Sequence, residues 1–201
     1  MRTFPQIPKR RFAAAFCAQT AHPSASRRWQ QLHPGAQRDR GPLSVGFVTA
    51  NEYFFRQDIR EDRVGVQMRQ KVRVIGAGNC QPMSGVRVNI WHCDRDGNYS
   101  GYSAEEGLTY CRGYQITDEN GECEFITIVP GWYPGRVTHM HFQVHVSTQY
   151  SAVSQWTWPH AAVVDAVQTH AELCPEGPDP LASEQGFAFN DGYDLQLASL
   201  E

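Results

Sequence analysis

The sequence predicts an all-β fold: an antiparallel β-sandwich with one short helix in its C-terminal half and long loops. Three observations carry that expectation. Short stretches with alternating apolar and polar residues recur from about Val45 onward. They are separated by turn-forming residues, with 17 Gly and 12 Pro in 201 residues. Only one stretch, AAVVDAVQTHAEL after Trp158 and Pro159, has a helical texture, and Pro159 is tolerated at its start.

The elements follow in order. Residues 64–75 (VGVQMRQKVRVI) alternate through Val64, Val66, Met68, Val72 and Val74, as a half-buried strand does. The loop GAGNCQPMSG leads to residues 86–91 (VRVNIW), where Val86, Val88 and Ile90 share a face. After the loop CDRDGNYSGYS, residues 110–117 are the next strand. The turn DENG at residues 118–121 returns the chain through residues 122–128 as a hairpin partner. The loop PGWYPGR then opens the longest alternating stretch, VTHMHFQVHV at residues 137–146. It places His139, His141, Gln143 and His145 on one face and Met140, Phe142, Val144 and Val146 on the other.

Length and charge narrow the function classes. A chain of 201 residues fits one domain with a tail. Residues 1–44 read as a basic tail or degenerate signal and residues 45–201 as the domain. Arg10-Arg11-Phe12 before an apolar run of about seven residues resembles a twin-arginine export signal. The alternative is a disordered basic segment, with the domain cytoplasmic. The net charge of −3 argues against a nucleic-acid partner, and no apolar run is long enough to span a membrane. Six cysteines form no CxxC pair, so a thiolate zinc knuckle is not expected. Cys80 and Cys93 flank a hairpin-like stretch and are spaced for a bridge, or are buried thiols.

His139 and His141 are the strongest chemical signal. Two imidazoles at i and i+2 on a strand point the same way and can share one metal. The bland reading is the polar side of an edge strand. His145 lies about 13 Å along the same face and is too far to share a metal. Two Tyr-bearing loops, DGNYSGY and PGWYPGR, precede this strand. A lone Tyr in such a loop is ordinarily a packed aromatic, but here a Tyr, an Arg and two same-face His fall close together. His92 and Asp94 read as hydrogen-bonding residues at a strand end rather than ligands.

Three blocks make the chain resemble the intradiol ring-cleavage dioxygenases. They are VNIWHCDRDGNYSGY (residues 88–102), RGYQITDENGECEFITIVPG (residues 112–131) and PGWYPGRVTHMHFQV (residues 130–144). The likeness is to the short, single-domain members. It implies a β-sandwich holding one non-haem Fe(III) through Tyr99, Tyr133, His139 and His141, with Tyr102 as the runner-up for Tyr99. Phenolate is a hard anionic donor suited to ferric iron, and imidazole suits iron as well. The resemblance further implies that a catechol-type diol binds through both oxygens, that Tyr133 accepts a proton, and that O2 attack yields a cis,cis-muconate-type product. Arg136 would stabilise developing negative charge, and Gln155 would stand near the oxygen site. Tyr53 and Trp132 are the residues expected against substrate, and sheet edges offer a route to a homo-oligomer. One departure is local: TANEYFFRQDIRED at residues 49–62 carries Asn51-Glu52 where the short members have Gly-Pro. It keeps open a modified oxygenase reaction on the same site, beside a metal-free binding module as the remaining alternative.

Overall fold

The computed structural model describes residues 11–15, 51–76, 80–147, 151–186, 188–189 and 197–200. Two four-stranded sheets build the domain. The first has the order β5-β2-β1-β8 and the second β4-β3-β6-β7. The strands are β1 (Arg11–Ala15), β2 (Gln67–Arg73), β3 (Arg87–Trp91), β4 (Arg112–Ile116), β5 (Glu122–Ile128), β6 (Met140–His145), β7 (Ser151–Trp156) and β8 (Ser199–Leu200). The one α-helix among the described residues, α1 (His160–Thr169), packs Val163 and Val167 into the core. The sequence places this helix correctly and extends it too far, because the chain turns at His170 into a 3-10 turn over Ala171–Leu173.

Alternation along each strand produces the core. Met68 and Val72 of β2 and Phe125 of β5 face Val88 and Ile90 of β3, Met140 and Phe142 of β6, and Trp156 of β7. Each such side chain, once fully buried, contributes about 1.5–3 kcal/mol. The pairs β2–β5, β3–β4, β3–β6 and β6–β7 are antiparallel. The pair β1–β2 is parallel, a departure from the all-antiparallel expectation. Arg11–Ala15 is a strand of the first sheet although it falls in the stretch read as a tail. The rest of that stretch lies outside the described residues.

Two further differences concern strand ends and thiols. The His-bearing strand begins at Met140, not at residue 137. His139 therefore sits one residue before the ladder. Strand β7 is not visible in the sequence pattern, because SAVSQW does not alternate cleanly. A Cys80–Cys93 bridge does not form: Cys93 is a buried free thiol, as are Cys111, Cys123 and Cys174, while Cys80 is disulfide-bonded. Cys93 points into a small cluster with Trp91 and Tyr99, and that keeps it away from the loop bearing Cys80. Among the described residues no helix is long and apolar enough to cross a membrane.

Candidate metal centre

The second sheet positions the site through its register. With Ile90 and Phe142 in the core, the alternate residues project from the opposite face. Trp91 pairs with Arg112 of β4 on one side and with His141 of β6 on the other, and His141 pairs with Gln155 of β7. One row thus crosses four strands as Arg112, Trp91, His141 and Gln155. The rings of Trp91 and His141 are stacked, with centroids 5.2 Å apart and planes at 6°.

Two loops bring phenols to that row. Tyr99 ends the loop that follows β3. Asp94 shapes this loop by accepting the N–H groups of Asp96 and Asn98 on one carboxylate oxygen. Gly97 has φ +83° in it, and a Cβ there would meet the Trp132 carbonyl at 2.7 Å. A Cβ on Gly131 would likewise run into the Arg95 carbonyl, while the Gly131 N–H donates to the Asp94 carbonyl. The two Tyr-bearing loops therefore interlock at glycines. In the second loop, Tyr133, Pro134, Gly135 and Arg136 form a tight turn closed by Arg136 N–H to Tyr133 C=O at 2.9 Å. Gly135 takes φ +83° there, and Pro followed by such a Gly suits a type II turn. The turn sends Tyr133 and Arg136 to the same side, with the guanidinium carbon 5.8 Å from the Tyr133 ring centre.

Four donor atoms meet at one point. His139 Nε2 lies 3.1 Å from Tyr99 Oη, 3.4 Å from Tyr133 Oη and 3.2 Å from His141 Nε2. Donors on a metal at about 2.0–2.1 Å are about 3.0–3.4 Å apart, so the spacing fits one shared ion. His139 Nδ1 donates to the Val137 carbonyl at 2.6 Å, which leaves the Nε2 lone pair facing the cluster. Burial, with the neighbouring imidazole and guanidinium groups, holds His141 neutral and far below its ordinary pKa. Burial pushes the Tyr99 phenol well above its ordinary value, and a bound cation is what reverses that preference. Among the described residues no group of three or more His, Cys, Asp or Glu assembles; the cluster is a mixed one of imidazole and phenol.

Arg136 Nη2 donates to Gln155 Oε1 at 2.5 Å beside this cluster. Tyr99 is buried, whereas Tyr102 is 56% exposed and does not join. His145 stays apart, bonded to Arg87 and Asn89, and burial with the Arg87 charge pushes its pKa down to about 4. His92 spans the Cys93 carbonyl and the Thr127 hydroxyl. The two residues expected against substrate make their described contacts elsewhere. Tyr53 is exposed, with its hydroxyl 3.2 Å from Thr109 Oγ1, and Trp132 donates to the Gly177 carbonyl.

Arg112 is a participant the sequence reading did not assign. It is buried, donates to the carbonyl and hydroxyl of Ser100, and so anchors the residue after Tyr99. Burial lowers its pKa to about 10. The signal was present, since Arg112 opens the strand opposite Trp91, but only the pairing register gives it meaning.

Comparison with known proteins agrees with this architecture. The family described as Dioxygenase matches residues 41–167, more than half of the chain. An intradiol ring-cleavage dioxygenase from Tetranychus urticae superposes with TM-score 0.69 at 24% identity, covering 79% of this chain and 81% of that one. A second dioxygenase structure gives TM-score 0.67 at 25% identity, covering 76% of this chain and 77% of that one. Hydroxyquinol 1,2-dioxygenase of Corynebacterium glutamicum is 33% identical over 81 residues, 31% of this chain and 27% of the relative. Catechol 1,2-dioxygenase of a Pseudomonas species is 30% identical over 93 residues, 46% of this chain and 30% of the relative. The chain thus spans under a third of the length of these curated relatives. With the family match over residues 41–167 and the shared fold, the chain belongs to the intradiol ring-cleavage dioxygenases.

Proposed function

We propose that the chain binds non-haem Fe(III) through Tyr99, Tyr133, His139 and His141 and cleaves a catechol-type aromatic diol between its two hydroxyl-bearing carbons. Both atoms of O2 enter the cis,cis-muconate-type product. The observation that carries this reading is the convergence of two phenols and two imidazoles at 3.1–3.4 Å around His139 Nε2. A binding module without a metal has no use for such a cluster, since buried polar groups at this density are costly unless they share a ligand.

When bound, ferric iron supplies a Lewis acid that draws charge from the diolate and opens a ring carbon to O2. The protein's residues do the rest. Tyr99 and Tyr133 provide two anionic oxygens, and the Nδ1–H bond of His139 aims its Nε2 at the centre. Tyr133 is the phenol on the turn, half-buried and next to Arg136; its oxygen is the group placed to take a proton from an incoming diol. Arg136, held by Gln155, presents a fixed positive charge where negative charge develops during cleavage. Trp91 backs His141 with a flat apolar wall and limits water.

The test is colour and product. Iron-loaded protein should show a burgundy phenolate-to-iron band, and a panel of diols with O2 should give products heavier by the mass of O2. Protein that stays colourless after iron loading sinks the proposal. A coloured protein that consumes O2 but gives no ring-opened product would favour a modified oxygenase reaction at the same site, the reading that the Asn51-Glu52 segment keeps open.

A further inference from the structure

One peptide group links the candidate metal centre to a buried carboxylate beyond it. The peptide between Val137 and Thr138 is bonded on both sides. Its carbonyl accepts His139 Nδ1–H at 2.6 Å. Its N–H donates to Asp179 Oδ2 at 2.9 Å. Asp179 lies on the loop after α1, about 40 residues further along the chain, and is 4% exposed. Its other oxygen lies 3.3 Å from His160 Nδ1. The Thr138 carbonyl accepts the Thr157 hydroxyl at 2.8 Å, so both backbone polar groups of Thr138 are bonded.

We propose that Asp179 is a positioning residue that tunes His139 through this peptide, forming a carboxylate–peptide–imidazole relay to the metal. This rests on the metal reading above. The physical argument has three steps. A carboxylate makes a charge-assisted bond to the Thr138 N–H, stronger than a neutral one. Hydrogen bonds on the two ends of one amide polarise each other, so the Val137 oxygen becomes a better acceptor. A better acceptor at Nδ1–H makes the opposite nitrogen, Nε2, a stronger donor, as a carboxylate bonded directly to a metal-ligating histidine does.

The two imidazoles differ in this respect. His141 Nδ1 is buried and has no hydrogen-bond partner among the described residues. His139 is therefore the electron-rich histidine of the pair and His141 the electron-poor one. The asymmetry comes from Asp179, a residue outside the blocks that carry the family resemblance.

The experiment uses the full iron-loaded chain and three forms: the natural protein, Asp179→Asn and Asp179→Ala. The Asn side chain can still accept from the Thr138 N–H but has no charge. The expected result for Asp179→Asn is a phenolate-to-iron band moved to longer wavelength, because a poorer donor leaves the iron more electron-deficient. Loss of iron to a competing chelator should be roughly 10–100-fold easier, the range for such outer contacts. The metal-free melting temperature should stay close to that of the natural protein. Asp179→Ala should go further in both iron readouts. A coloured natural protein whose Asn form keeps the same band and the same iron retention overturns the relay and leaves Asp179 as a loop anchor. A natural protein that takes no iron fails the earlier proposal instead. Should the Asn form not fold, proton NMR of the natural chain with diamagnetic Ga(III) decides. The Thr138 amide and His139 Nδ1 protons should both appear far downfield, and ordinary positions for both overturn the relay.

Discussion

Arg136 on the turn before β6 and Gln155 on β7 are joined by a hydrogen bond from Nη2 to Oε1 at 2.5 Å. The contact ties a loop residue to a rigid strand, so the guanidinium is oriented before any substrate arrives. Preorganised charge of this kind is worth most where charge appears only during reaction.

Replacing Arg136 by Ala should therefore lower kcat on a catechol-type diol by about 100–1000-fold, the range for loss of one preorganised donor. Gln155→Ala should cost about tenfold by letting the guanidinium wander. The double variant should be no worse than Arg136→Ala within about twofold, since both losses act through one group. Steady-state rates of all three against natural protein check this.

The choice between the two tyrosines of the first loop has a spectroscopic answer. Tyr99→Phe should weaken iron retention and change the charge-transfer band. Tyr102→Phe should leave band and retention unchanged, because Tyr102 is exposed and its side chain does not reach the cluster. Visible spectra at matched iron content decide it.

Gly97 joins the two loops. Gly97→Ala asks a residue with a Cβ to hold φ +83° and to sit 2.7 Å from the Trp132 carbonyl. Left-handed backbone alone costs about 1–2 kcal/mol, and the contact adds to that. The expected loss is about 2 kcal/mol or more in urea unfolding, together with lower iron content, since both phenol-bearing loops must shift.

Stability should fall with acid in a way that His92 explains. Burial lowers its pKa from 6.5 to about 4, and its Nδ1–H already donates to the Cys93 carbonyl in the neutral form. Between these values the unfolded chain binds a proton that the folded chain refuses. The contribution is intact above pH 6.5, declines as pH falls, and levels off below about pH 4. Its full size is on the order of 3 kcal/mol. Urea unfolding of metal-free protein from pH 7 to 4.5 should show this limb, and His92→Gln should flatten it relative to the natural chain.

Much of this was legible along the chain. Alternation marked β2, β3 and β6 because a strand with one buried face repeats every two residues, and the turn signal before it marked β5. DENG marked a turn, and Gly121 N–H donates to the Asp118 carbonyl at 3.0 Å there. The expected hairpin does not form: the turn carries the chain from one sheet to the other, β4 pairing with β3 and β5 with β2. The pairing of His139 with His141, and of Tyr133 with Arg136 across Pro134-Gly135, lay within a few residues and needed only local geometry. Strand β7 and the β1–β2 pairing were missed. Neither SAVSQW nor RFAAA has an alternation of its own, and each is a strand only because a neighbour offers a free ladder.

Local pattern therefore determined the fold class, the helix and the same-face pair His139 and His141, because each depends on near neighbours in the chain, while Tyr99 and Tyr133 were expected as donors from the family resemblance. The tertiary structure alone decided how those donors combine. The row of Arg112, Trp91, His141 and Gln155 exists because β4, β3, β6 and β7 lie side by side in one register. The bond from Thr138 to Asp179 exists because the loop after α1 folds back on the start of β6. Contacts between residues 14 to 50 positions apart depend on which strands pair and in what register, and periodicity within one segment carries no information about either.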